Sequence, residues 1–446
     1  KAPVFLKGDV DKLREFIKKY VKYGDKGETI YEIDKGKIKP SKSLQDSLSS
    51  MLKGNSEFIL IDDQKVIYET ALNMARKSHK DGKKRVLIVE GGPGTGKSVI
   101  AINLLVQLTN EEMVCQYVTK NATPRNIYSY KLSGDIRKTR IDNLFKGSGS
   151  FVSTKNNEFD SLITDEAHRL NEKSGMFRNK GENQIKEIIN GSKFSIFFID
   201  ENQKVDIHDV GSIEQIKKFA KQFKAEIETK QLYSQFRCSG SDGYLSWLDD
   251  VLDIKDTANY DGFDFKYDFK IIDDPNELRK LIVEKNKKNK KARLLAGYCW
   301  NWKTEGKNDP NIHDIEIPKF NFSMSWNLGN SSIWAINANS VSEVGCIHTS
   351  QGIEFDYVGV ILGQDIRFEN GKIITDYTKR AKTDSSLKGI KTIAKKNLEK
   401  ANEIADQIIK NTYRTLMTRG LKGCYVYCVD KNLSDYLKSR LEKIKK

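Results

Sequence analysis

The sequence predicts an α/β protein built from two parallel-sheet domains behind a short N-terminal leader. Three observations predict it. At 446 residues the chain is too long for one ordinary domain. From about residue 56 onward, short apolar runs alternate with stretches of helical composition, the grain of a parallel sheet with helices between its strands. Three of those runs end in polar clusters: the glycine-rich turn after Val86-Leu87-Ile88-Val89, Asp165-Glu166, and Asp200-Glu201-Asn202-Gln203. An open parallel sheet collects its ligand-facing groups at such strand ends.

Residues 1–55 form the leader, in which a helix is expected over about 9–23, with Leu13, Phe16, Ile17 and Val21 at helical spacing. Thr29-Ile30-Tyr31-Glu32-Ile33 before Gly36 reads as a strand entering a turn. The first domain spans 56–230. Its pieces are a helix over about 65–79, the strand at 86–89, the helix that opens near Val99, and strands over 113–118, 159–164 and 194–199. The second domain spans 231–446, with strands expected at 292–299, 357–362 and 424–429 and a helical insertion over about 367–410.

Composition narrows the function classes. Hydrophobic content of 38% supports real cores and excludes a disordered chain. No apolar run approaches the roughly 18 residues of a membrane span, so a cytoplasmic location and no membrane partner are expected. The net charge of +15 points to a polyanion, nucleic acid before anionic membrane. Cys115, Cys238, Cys299, Cys346, Cys424 and Cys428 show no paired C-x-x-C spacing, and reduced structural thiols are expected.

The most informative stretch is Gly91-Gly92-Pro93-Gly94-Thr95-Gly96-Lys97-Ser98, a G-x-x-x-x-G-K-S match between a strand and a helix start. Gly92, Gly94, Thr95 and Gly96 let backbone N–H groups close around phosphates, and the helix start favours anions. Lys97 is expected at the β- and γ-phosphates and the Ser98 hydroxyl on Mg²⁺, so ATP and Mg²⁺ are the expected ligands. Asp165, at the end of an apolar strand, is then placed for Mg²⁺, and Glu166 to orient or deprotonate an attacking water. The bland readings are an idle glycine turn and a solvated acidic pair.

The ordered motifs are Asp63-Gln64, the glycine-rich turn, Thr119-Lys120-Asn121, Asp165-Glu166-Ala167-His168, Asp200 to Gln203, Gln235-Phe236-Arg237, residues 345–356 and residues 413–420. Together they resemble superfamily 1 helicases and translocases, more narrowly the bacterial relatives of the Schlafen-type (group 3-like) DNA/RNA helicase domain. The resemblance covers about Lys53 to the C-terminus. It implies two RecA-like domains with ATP in the cleft between them. It also implies that Gln64 reads adenine, that Gln203 senses the γ-phosphate, and that Arg237 and Arg419 reach that phosphate from the second domain. Gly352 and Glu354 would contact phosphate and ribose. Single-stranded DNA or RNA would cross both domains, against Thr119, Lys120 and Asn121 on one and His348 and Thr349 on the other. A role in phage defence is implied by the resemblance alone.

Trp326, after Phe320 and Phe322, is a candidate to stack a base, although an aromatic in such a place is more often core. Two positions depart from the family pattern: Ile199 stands where many members have Gly, and Cys346 where many have Thr. Neither touches phosphate chemistry; both put nucleic-acid coupling in doubt. The reading is therefore an ATP-dependent motor on single strands. Its alternative is an ATP-dependent switch acting on an upstream or separate effector domain.

Overall fold

Val86, Leu87, Ile88 and Val89 are fully buried, as a parallel strand covered on both faces requires. They form β1 (Arg85–Gly91), which shares a six-stranded sheet with β2 (Cys115–Val118), β3 (Phe145–Lys146), β4 (Phe159–Thr164), β5 (Ser192–Ile199) and β6 (Glu226–Leu232). The order across the sheet is β3-β2-β4-β5-β1-β6, and every pairing is parallel. Parallel neighbours need crossovers, which the helices Lys97–Asn110, Ala122–Leu132, Gln184–Gly191 and Ile213–Gln222 supply. Register does the functional work. Glu90 pairs with Ile199 and Thr164 with Phe197, so the strand ends before Gly91, Asp165 and Asp200 lie side by side.

These coordinates come from a computed structural model that describes residues 5, 8–20, 44–52, 55, 58, 60, 62–175, 178–233, 242–255, 263, 267–303, 309, 311–327 and 333–445. The chain divides into two units, Lys1–Lys39 and Pro40–Lys446. In the first, the expected helix forms over Val10–Tyr20, and none of its residues is buried. The strand expected at 29–33 lies outside the described residues.

Within the larger unit the chain continues through β7 (Asp268–Ile271), β8 (Ala292–Ala296), the antiparallel pair β9 (Ile315–Ile317) and β10 (Phe322–Met324), and β11 (Val344–Gly345). Then come β12 (Phe355–Leu362), a second antiparallel pair β13 (Ile366–Glu369) and β14 (Lys372–Thr375), and β15 (Gly420–Cys428). Five of these form a parallel sheet in the order β11-β8-β12-β15-β7. Packing joins the two sheets: Ile127 and Val205 from the first half share an apolar cluster with Ile347, Ile353 and Leu416 from the second. The expected α/β architecture with parallel sheets is what forms.

The insertion over 367–410 differs from expectation. It opens as the hairpin β13–β14, because Asn370 and Gly371 both adopt positive φ, 52° and 79°, and close a two-residue turn. Helices Ile390–Lys396 and Leu398–Met417 follow. From Ile408 to Met417 the second of these is wholly buried. The five described cysteines are free thiols; Cys238 lies outside the described residues. Among the described residues no helix is long and apolar enough to cross a membrane.

Candidate functional site

The glycine-rich turn links the end of β1 to the helix Lys97–Asn110, whose start carries no side-chain cap. A helix start with glycine at its cap suits an anion. Gly96 sits at φ +88°, and a Cβ there would collide with the Gln64 amide. Glycine at that position is dictated by both conformation and space. Lys97 is buried, and its Nζ donates to the carbonyls of Gly91 (2.5 Å) and Gly92 (2.7 Å). Thr95 Oγ1 donates to Gly92 O at 3.0 Å, tying the turn to itself.

Asp165, at the end of β4, stands beside this turn. Its Oδ2 accepts hydrogen bonds from Ser98 Oγ and from Tyr117 OH, both at 2.6 Å, and its Oδ1 accepts the Glu166 N–H at 2.9 Å. Burial raises the Asp165 carboxyl above its ordinary range, and the neighbouring Glu166 charge adds to the rise. Glu166 occupies the left-handed region at φ 54°, ψ 45°, an uncommon conformation for a residue with a side chain. Such backbone costs of order 1–3 kcal/mol and clusters at functional sites. Glu166 Oε2 lies 3.2 Å from His168 Nε2, but off the line of a hydrogen bond. His168 is fully buried; burial pushes its pKa down to about 3, so it is neutral. Its Nδ1 accepts from the Asp200 N–H at 3.4 Å, which leaves the proton on Nε2, facing Glu166.

From the end of β5, Gln203 Nε2 donates to Asp200 Oδ2 (2.7 Å). Burial alone would raise the Asp200 carboxyl; the charges of Lys97 and Arg414 bring it net below its ordinary range. Gln203 Oε1 accepts from Arg419 Nη2 (2.9 Å), and Arg419 Nε donates to Thr415 O (3.1 Å). Arg419 comes from the turn into β15, so this bond joins the two sheets at one spot. The cleft there holds about 670 Å³ of space, part of it open to solvent, and Lys97, Ser98, Glu166, Gln203, Gly352 and Glu354 line it. Gly352 sits at φ +81° against Pro124, with no room for a Cβ.

Several expected site residues lie elsewhere. Gln64 is buried behind the turn, donating its amide to Thr95 O (2.9 Å), and is not part of the cleft wall. Arg237 lies outside the described residues. Trp326 is a correction. It is fully buried, stacked between Tyr298 (5.4 Å) and Trp302 (6.1 Å), with its indole N–H on Trp300 O. It is a core aromatic and presents no face to a base.

Lys120, whose side chain is about one-fifth exposed, has partners within the first half. Its ammonium pairs with Asp209 (2.9 Å) and Asn171 (2.8 Å) inside the protein, where burial lowers its pKa despite the Asp209 charge. Asp209 also pairs with Arg169 (2.8 Å), and Arg169 Nη1 donates to Gln351 Oε1 in the second half. Thr119 is fully buried. Asn121 caps the helix Ala122–Leu132 and donates to Gln351 O (2.7 Å), while Thr123 Oγ1 donates to His348 O (3.0 Å). Thr349 Oγ1 accepts the Cys346 N–H (3.0 Å), closing a capping box. Asn121 and His348 thus bond where the halves join, while Lys120 pairs within the first half and Thr349 within the second.

Sequence reasoning missed Tyr117, Tyr128, Arg169 and Asp209 as site neighbours; Gln351 lies within the motif at 345–356, but no role was read for it. Only the pairing of β2 with β4 brings Tyr117 beside Asp165.

Residues 84–430 match the family described as Schlafen group 3, DNA/RNA helicase domain. An uncharacterized protein of Saccharomyces cerevisiae is 26% identical over 424 residues, covering 86% of this chain and 91% of its own length. Among solved structures, a DEAD box protein from the hyperthermophile Methanococcus jannaschii matches 87% of this chain and 96% of its own at 12% identity, with a TM-score of 0.27. AMPPCP-bound DnaA from Aquifex aeolicus matches 45% of this chain at 14% identity, with a TM-score of 0.24; the match spans about half of that initiator, 53%.

Proposed function

The chain belongs to the Schlafen group 3 DNA/RNA helicase domain family, and on that premise we propose that it is an Mg²⁺-dependent ATPase of superfamily 1 type. Its two parallel sheets are then tandem RecA-like domains, and its turnover drives movement along single-stranded DNA or RNA. One observation carries the reading: Arg419, buried in the second half, bonds to Gln203, which lines the cleft with Lys97, Ser98 and Glu166. Residues far apart in the chain converge where a γ-phosphate would lie.

The chemistry follows from the residues. The turn and the helix start bind the phosphates, and Lys97 exchanges its two carbonyl partners for phosphate oxygens. Glu166 holds the attacking water and accepts its proton; the left-handed backbone directs its carboxylate into the cleft. Gln203 and Arg419 offset charge that develops on the transferring phosphoryl group. Mg²⁺ fits the site, because the Ser98 hydroxyl and the Asp165 carboxylate are hard oxygen donors brought together at an uncapped helix start. Ser98 and Asp165 would hold the ion, which supplies charge neutralisation at the phosphates.

A groove with one lysine in its wall, on a segment that also carries Arg137 and Arg140, supports the nucleic-acid partner. It holds about 960 Å³ of space between the helices Ala122–Leu132 and Lys138–Leu144, is walled by Asn126, Ser129, Tyr130 and Lys138, and reaches Ile333 of the second half. Tyr130 is 55% exposed there, and Arg137, Lys138 and Arg140 make no ion pair among the described residues. An exposed ring among unpaired cations suits a single strand. The switch reading also has an observation behind it: Lys120, Asn121 and Thr349 are spent on contacts within the protein. Measuring ATP turnover with single-stranded DNA, single-stranded RNA and duplex side by side tests the proposal. Stimulation by a single strand is expected; turnover indifferent to all three leaves the switch.

A further inference from the structure

Asp165 is held from three sides, and one of its partners belongs to no motif. Tyr117 lies on β2, one residue before its end, and the parallel register places it opposite Ile163 of β4. Its ring is buried among Tyr128 (6.0 Å) and Phe145 (5.7 Å). Its hydroxyl donates to Asp165 Oδ2 at 2.6 Å, the same oxygen that accepts from Ser98, while Oδ1 accepts the Glu166 N–H. A carboxylate with donors on both oxygens cannot turn about its own axis without breaking a buried bond. Tyr117 stands on a strand paired on both sides, with β3 and β4, so its hydroxyl is held by the sheet.

We propose that Tyr117 is a positioning residue of the metal–nucleotide site, holding the Asp165 carboxylate against Ser98 so that the two meet the ion together. This rests on the reading of the cleft as an Mg²⁺–nucleotide site. Partners behind a metal-ligating carboxylate typically change metal affinity or activity by about 10–100-fold when removed. A ring needed only for packing would tolerate loss of its hydroxyl without any change in metal binding. Tyr117→Phe separates the two roles, since it keeps the ring in place and deletes one donor.

The experiment uses the full chain and Mn²⁺ as the probe, titrated by electron paramagnetic resonance in the presence of a non-hydrolysable ATP analogue. For Tyr117→Phe, Mn²⁺ affinity is expected to fall about 10–100-fold. Binding of the analogue in chelator should not change, and raised Mg²⁺ should restore turnover. Phe145→Leu, which disturbs the packing around the same ring, should lower the melting temperature and leave Mn²⁺ affinity alone. Tyr117→p-aminophenylalanine, which restores a donor on the same ring, should bind Mn²⁺ as the wild type does. This last variant decides the matter should Tyr117→Phe not fold. Unchanged Mn²⁺ affinity in Tyr117→Phe, or weakened affinity with the donor restored, overturns the role of Tyr117 and leaves the site reading intact. Failure of the wild-type chain to bind Mn²⁺ with the analogue overturns both.

Discussion

The two groups of motif residues behave in opposite ways. Lys97, Ser98, Glu166, Gln203, Gly352 and Glu354 come from separate parts of the chain and line one cleft. Asn121 and His348 bond across the joint between the halves, and Lys120 and Thr349 are engaged by partners within their own halves. The difference is physical. A phosphate cradle is made of backbone, so glycines at fixed spacing nearly specify it. A strand contact is made of side chains, and a lysine beside a buried carboxylate becomes an ion pair instead. The Asp209 that captures Lys120 is 89 residues away in sequence.

The largest expected effect tests whether the cleft needs both halves. Arg419→Ala should lower turnover by about 10³-fold and change ADP affinity little, since ADP lacks the phosphate in question. Normal turnover in this variant would place the chemistry within the first sheet alone. Glu166→Gln should keep nucleotide affinity and lose about 10²-fold in turnover; wild-type turnover would remove Glu166 from the attacking water.

Stability should carry the mark of the buried motif. His168 has an ordinary pKa of 6.5 and a folded value of about 3. Below 6.5 the unfolded chain takes up a proton that the folded chain refuses, so stability is intact above pH 6.5 and declines as pH falls toward about 3. By pH 5 the loss is roughly 2 kcal/mol, measurable as a drop in denaturation midpoint that His168→Gln should remove.

Two smaller effects sharpen the contrast between groove and joint. Tyr130→Ala should weaken single-strand binding by about 1–3 kcal/mol, while Trp326→Phe, in the core, should leave it unchanged. Equal losses in the two would return the stacking role to the aromatic cluster. Finally, Lys138→Ala should reduce the slope of log affinity against log salt by roughly 0.7. Lys120→Ala should not alter that slope; a fall of the same size would mean that Lys120 leaves Asp209 when a strand binds.

By itself the sequence determined the local pieces whose chemistry is written in neighbouring residues. Strand, glycine turn and helix start were legible because conformation and spacing at Gly91 to Ser98 leave few other solutions, and Asp165 was legible because a carboxylate after an apolar strand has few structural reasons to be there. The hairpin at Asn370-Gly371 carried a readable turn signal that the surrounding Lys- and Ala-rich composition masked. The tertiary structure alone decided which polar side chains face the cleft and which face each other. Sheet order set Tyr117 beside Asp165, packing enclosed Trp326, and Asp209 paired with Lys120. A side chain's type fixes what it can bind, but its burial and its partners, set by residues far along the chain, fix what it does bind.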